Sequence, residues 1–275
     1  NYLFYMLCMA DPSNPANIER ARRFAGLFLN EDPEAPNYDP QHRVIRCARS
    51  GSMGPAYWTF EATPHWPYPG YNLPFYDVPG CDNHETVSRD PALAERLGQA
   101  MCDRQGRGDA VVNLLATSLV TNAGLLTGEK KYRKWVLEYT EAWMERAQAN
   151  RGIVPDNVGL SGVVGEYTNG KWYGSSYGWA WPHGWHSVGQ AVGVAAAIAC
   201  LADFDRDSVD AVLFASTSYP FREKQGASLI ARALDLRRDI RTQDHGGSLR
   251  AGTAALRTAA DAVRAGSART VLVIT

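Results

Sequence analysis

Two adjacent segments, "GDAVVNLLATSLVTNAGLLTG" at residues 108–128 and "EKKYRKWVLEYTEAWMERAQAN" at residues 129–150, decide how the chain reads. The first is apolar on nearly every side and stops at Gly128, a residue type that ends helices by adopting the left-handed conformation. The second places Tyr132, Trp135, Val136, Tyr139 and Trp143 on one stripe and charged residues on the other. A helix apolar all round must be buried all round, whereas a striped helix faces water on one side. Alternation of the two predicts concentric rings of helical hairpins, a mostly α architecture.

Further helices follow outward from this pair. "SNPANIERARRFAGLFLN" offers Ser13 or Asn14 as a cap, Pro15 in the first turn, and Ile18, Ala21, Phe24, Ala25 and Phe28 on one face. "DPALAERLGQAMCDR" predicts a helix starting at Asp90 with Pro91 at its first position. "HSVGQAVGVAAAIACLA" is again apolar all round and rich in small residues. Long Pro/Gly/aromatic loops, residues 30–89 and 151–184, join these helices. Loops of that length in a compact domain are usually functional, and their aromatic content argues against disorder.

The chain of 275 residues, 45% apolar, is long enough for two ordinary domains or one large helical one, with apolar residues enough for a real core. Its net charge of -1 gives no global attraction for nucleic acid or anionic lipid. Neither a nucleic-acid nor a membrane partner is expected. The five cysteines contain no C-x-x-C pair, so they predict buried free thiols rather than a disulfide framework or thiolate zinc site. The apolar opening "NYLFYMLCMA" reads as a truncated helix, too short to span a bilayer, and the compartment stays open.

Composition changes near "CLADFDRDS". All eight tryptophans lie at or before Trp185, and after residue 202 tyrosine occurs once, at Tyr219. This places a boundary between domains 1–202 and 203–275. Beyond it, "VDAVLFAST", "DIRTQD" and "ARTVLVIT" read as strands alternating with the helices "EKQGASLIARALDL" and "SLRAGTAALRTAADAVRAG". Such alternation predicts βαβ units and a parallel sheet.

Two resemblances rest on these segments. The run from Gly128 to Trp185, "GEKKYRKWVLEYTEAWMERAQANRGIVPDNVGLSGVVGEYTNGKWYGSSYGWAWPHGW", resembles the six-hairpin (α/α) toroid proteins, which include glycoside hydrolases and polysaccharide lyases. The likeness covers residues 11 to about 201, fewer hairpins than a full toroid holds. "DSVDAVLFASTSYPFREKQGASLIARALDL" and "GGSLRAGTAALRTAADAVRAGSARTVLVIT" resemble the thiolase-fold hydroxymethylglutaryl-CoA synthases and ketoacyl synthases. That family's nucleophilic cysteine would fall on Leu249, and leucine cannot attack a thioester. Ser248 is one residue away, and His245 and Asp244 precede the helix, where turn capping is the simpler role. The resemblance therefore implies a catalytically incomplete fragment, at most a scaffold or acyl-CoA-recognition piece.

Candidate chemistry concentrates in "KWYGSSYGWAWPHGWHS", residues 171–187, with six aromatic residues and two histidines among glycine and serine. Sugar rings present apolar C–H faces, so Trp172, Tyr173, Tyr177, Trp179, Trp181 and Trp185 are candidates for a stacking platform, with packing in the core as the alternative. Glycoside cleavage needs two carboxylates. Asp156 and Glu166 lie in the same loop region, Asp82 and Glu85 form a second pair, and capping or turn chemistry competes for each. A lyase would instead use a His or Tyr base with Asn or Arg steadying the substrate carboxylate, which brings in His84, His183, His186, Tyr177 and Asn157. The spacing of His183 and His186 lacks a third ligand, so no metal is assigned and no cofactor is implied.

The function expected is that of a carbohydrate-active domain, hydrolase or lyase, holding an oligosaccharide or polysaccharide near Asp156, Glu166 and His183. Three alternatives accompany it: an acyl-CoA-related second domain, a glycan-binding toroid without catalysis, and a fusion of two gene fragments.

Overall fold

The computed structural model describes residues 2–48, 50–51, 54–55, 78–175, 177–181, 184–203, 205–216, 225–234, 236–248 and 250–274. It is mostly helical with small sheets and divides into two compact units, Asn1–Ala202 and Asp203–Thr275.

In the first unit, α1 (Tyr2–Ala10) precedes α2 (Pro15–Gly26). Asn14 starts α2 by accepting a hydrogen bond from the Ala16 amide at 3.0 Å, and Pro15 occupies the first turn, where a missing N–H costs nothing. The buried residues Ala21 and Ala25 of α2 lie on its inner face, and α2 packs on α5 (Ala116–Thr127). A short 3-10 turn, Val111–Leu115, leads into α5, and Gly128 ends it at φ +71°. Helix α6 (Lys130–Ala149) packs against α5 through a buried stripe of Tyr132, Trp135, Val136, Tyr139, Ala142 and Trp143. Val188, Ala191 and Ala195 of α7 (Gly184–Asp203) join the same core.

One expectation fails here. Helices α5 and α7 are not buried on all sides: Leu125 on α5 is 67% exposed, and Ala196, Ala197 and Cys200 on α7 face solvent. Beyond Gln190 the exposed positions of α7 among the described residues are Gly193, Ala196, Ala197 and Cys200, small side chains, so leaving that part wet exposes little apolar area.

The segment read as one long loop from residue 30 to 89 carries local structure. Strands β1 (Tyr38–Asp39) and β2 (Val44–Ile45) pair antiparallel, as do β3 (Ser50–Gly51) and β4 (Gly54–Pro55). Helix α3 (His84–Arg89) is capped by Asn83, whose side chain accepts from the Thr86 amide. Asp90 then caps α4 (Pro91–Met101) through the Ala92 and Leu93 amides, and α4 runs on into a π-helical turn, Cys102–Gly106. Val78, Cys81, Val87, Ala94 and Leu97 form a small core beneath α3 and α4. Two-residue strands β5 (Asp109–Ala110) and β6 (Asn157–Val158) pair antiparallel and tie the aromatic loop to the entrance of α5.

The second unit has three parallel strands, β7 (Ala211–Ala215), β8 (Arg241–His245) and β9 (Val271–Ile274), in the order β8-β7-β9. Alternate strand residues serve the two faces. Val212, Phe214, Leu272 and Ile274 pack under α8 (Gly226–Ala233), while Leu213, Ala215 and Val273 pack under α9 (Ala251–Arg264). Asp244, expected in a turn before α9, instead caps α8: its carboxylate accepts from the Gly226 and Ala227 amides, each at 2.7 Å. Ser248 accepts from the Arg250 amide at the start of α9, and Leu249 lies outside the described residues.

Candidate functional site

The loop between α6 and α7 is ordered by two neighbouring side chains. Asp156 is fully buried, and four donors converge on its carboxylate. Oδ1 accepts from Asn157 Nδ2 at 3.0 Å and the Ser175 amide at 3.1 Å; Oδ2 accepts from the Gly174 amide at 3.0 Å and the Trp179 amide at 2.9 Å. Burial pushes this carboxyl up from the usual range, and the four donors oppose the shift. Residue 178 has to be glycine, because a Cβ there would sit 2.0 Å from Asp156 Oδ2.

Asn157 organises the preceding turn. Its carbonyl oxygen accepts from the Gly165 amide and the Thr168 hydroxyl, and its amide also donates to the Lys171 carbonyl. Asp156 therefore holds residues 174–179 while Asn157 holds residues 165–171. Neither carries out chemistry at a surface in this arrangement; both fix where the aromatic side chains stand.

Those aromatics form a connected series. Tyr173 meets Trp172 edge-on at 5.0 Å between ring centroids, Trp172 meets Trp179 edge-on at 6.4 Å, and Trp179 lies 5.8 Å from Trp185. Trp179 is further fixed by its indole N–H, which donates to the Val154 carbonyl at 2.7 Å. The ends of the series reach solvent: Tyr173 is 40% exposed and Trp185 76%. Trp185 belongs to the first turn of α7 rather than to the loop, so a helix presents it. Tyr177, 38% exposed, holds a left-handed backbone at φ +56° and lies 5.1 Å from Trp181, which is buried. Bulky residues adopt that conformation at a cost of about 1 kcal/mol or more, and such strain concentrates at functional sites.

Glu166 is exposed, and Ser161 holds it through both its amide and its hydroxyl. Among the described residues it shares no hydrogen-bond partner with Asp156. The Tyr167 phenol beside it is pushed up, chiefly by burial and further by the Glu166 charge. His183 lies outside the described residues; His186 is exposed on α7. Glu85 forms an exposed ion pair with Arg89 along α3.

A second buried carboxylate escaped the sequence reading. Asp109 accepts from the Ile45 amide at 3.0 Å, from Asn113 Nδ2 at 2.9 Å and from the Tyr139 hydroxyl at 3.0 and 2.9 Å. Burial pushes it up to about 6. The only sequence signal was an acid opening an apolar run with Asn113 four residues on, a pattern indistinguishable from a helix cap.

Residues 1–243 match the family model described as a domain of unknown function, DUF8034. The chain belongs to that family. The match runs through the boundary between the two units. No curated protein matches the chain, and no solved structure does. No helix among the described residues is long and apolar enough to cross a membrane.

Proposed function

We propose that the first unit is a carbohydrate-active domain, part of an α/α toroid, that holds a sugar chain on the aromatic series ending at Trp185. The observation carrying this reading is the exposed Trp185 plane, joined through Trp179 to a loop pinned by Asp156. A rigid aromatic face loses little entropy when a sugar ring settles on it. Binding of neutral and acidic oligosaccharides to the full chain, followed by tryptophan fluorescence, tests it. Trp185→Ala is expected to weaken binding at least tenfold. A panel that neither shifts the fluorescence nor is cleaved removes the reading.

Binding without cleavage is the form the geometry supports best, because Asp156 is enclosed and its oxygens are engaged. Cleavage is the second reading, favoured by the exposed Glu166 carboxylate in the same loop. It predicts product formation that Glu166→Gln abolishes while binding persists. For the second unit, the parallel sheet with helices on both faces supports a thiolase-like piece recognising acyl-CoA rather than condensing it. The family match across residue 202 supports one continuous protein over a fusion of two genes.

A further inference from the structure

A cleft of about 520 Å³ opens between α4, the π-helical turn and the 165–171 turn. That volume suits a small ring compound. Its polar lining comes from Glu95, Arg96, Gln99, Asp103, Arg104 and Asn169, with Tyr167 at one wall. The lining holds two acids, Glu95 and Asp103, and two arginines, Arg96 and Arg104, and these are not all paired with one another. Asp103 is already paired with Arg107 at 2.7 Å and accepts from Gln99 at 3.2 Å. Arg104 is only 5% exposed and is fixed by donating from Nε to the Tyr167 carbonyl at 3.0 Å. Arg96 is held by the Pro79 carbonyl at 2.7 Å, and among the described residues it forms no ion pair.

The cleft walls include a left-handed turn at Asn169, φ +55°, a conformation asparagine tolerates, and a π-helical turn, a rare element that recurs at functional sites. The cleft thus combines an arginine with no ion pair among the described residues, amide donors, a carboxylate acceptor and apolar surface from Val78, Ala92 and Ala100. A guanidinium recognises a carboxylate through paired N–H bonds, and the remaining groups suit ring hydroxyls.

We propose that this cleft binds a single acidic sugar residue, its carboxylate on Arg96 and its hydroxyls on Gln99, Asn169 and Glu95. The ligand class rests on the carbohydrate reading above, but the site is distinct from the aromatic series. Calorimetric titration of the full chain with glucuronate and with glucose tests it. Glucuronate is expected to bind at least tenfold more tightly than glucose. Arg96→Gln, at an exposed helix position, is expected to erase that preference while leaving unchanged the fluorescence response to neutral oligosaccharides. Gln99→Ala is expected to weaken glucuronate severalfold with the same melting temperature as the parent. Equal affinity for the two sugars, or a preference that survives Arg96→Gln, overturns the proposal. If that happens while Trp185-dependent oligosaccharide binding persists, the cleft assignment alone falls; if both are lost, the carbohydrate reading falls with it.

Discussion

Two aromatic clusters in the first unit each gather round a buried aspartate, yet they serve opposite ends. In the helical core, Tyr38, Trp135 and Tyr139 pack together, with Trp135 and Tyr139 stacked at 4.9 Å, and Tyr139 donates to Asp109. In the loop, Trp172, Trp179 and Trp185 follow one another towards solvent, and the Trp179 amide donates to Asp156. The donors differ in kind. Asp109 is bonded mostly by side chains from packed elements, whereas Asp156 is bonded mostly by backbone amides of a segment lacking regular structure. A core aspartate helps register elements that already pack; the loop aspartate substitutes for the secondary structure that the loop lacks.

Asp156→Asn is expected to have the largest effect on the loop. The amide keeps one acceptor oxygen and turns an NH2 group towards donors that cannot accept. Each unsatisfied buried group costs about 1–3 kcal/mol, so a loss of about 4 kcal/mol is expected. Thermal unfolding should fall by about 10 °C, with near-UV circular dichroism of the tryptophans weakened more than helix content. A melting temperature within 2 °C of the parent's, a margin of roughly 1 kcal/mol, would show that the loop does not depend on this hub.

Asp109 gives a pH-dependent counterpart. Its folded value of about 6 lies above the unfolded value of about 3.9, so the folded state holds the proton more tightly. Its contribution to stability is complete below pH 4 and is lost as pH rises through 6. The shift corresponds to about 3 kcal/mol. Asp109→Asn carries no such titration, so the stability difference between parent and variant should change by about that amount between pH 3 and 7. A flat difference would place Asp109 outside the low-dielectric core. Tyr139→Phe, which removes one donor to the same carboxylate, is expected to cost about 2 kcal/mol at neutral pH, measured by denaturant unfolding.

Local features of this architecture were legible in the sequence because they depend on neighbours. Asn14-Pro15 opens α2, Asp90-Pro91 opens α4, Gly128 closes α5, and the stripe of α6 is the buried one. What could not be read depends on distant partners. The pairing of Ala110 with Asn157 joins segments far apart in the chain, and Asp244 caps α8, which precedes β8, rather than α9. The aromatics were recognisable as a group, but their division into inward Trp181 and outward Tyr173 and Trp185 depends on the loop amides anchored on Asp156 and on the first turn of α7 that carries Trp185. Composition carries no trace of that anchor.

The smallest effect on stability belongs to the residue assigned the largest role in binding. Trp185 stands on the first turn of α7 with most of its surface in water, so Trp185→Ala removes little buried area. Its cost should stay below about 0.5 kcal/mol, the range of ordinary surface substitutions. The opposite holds for Trp135, enclosed in the core, where truncation to alanine should cost about 3–5 kcal/mol. An exposed tryptophan that adds nothing to folding is hard to account for by packing alone. If Trp185→Ala proves as damaging to unfolding midpoints as Trp135→Ala, the two clusters are both structural and the distinction drawn from their burial fails.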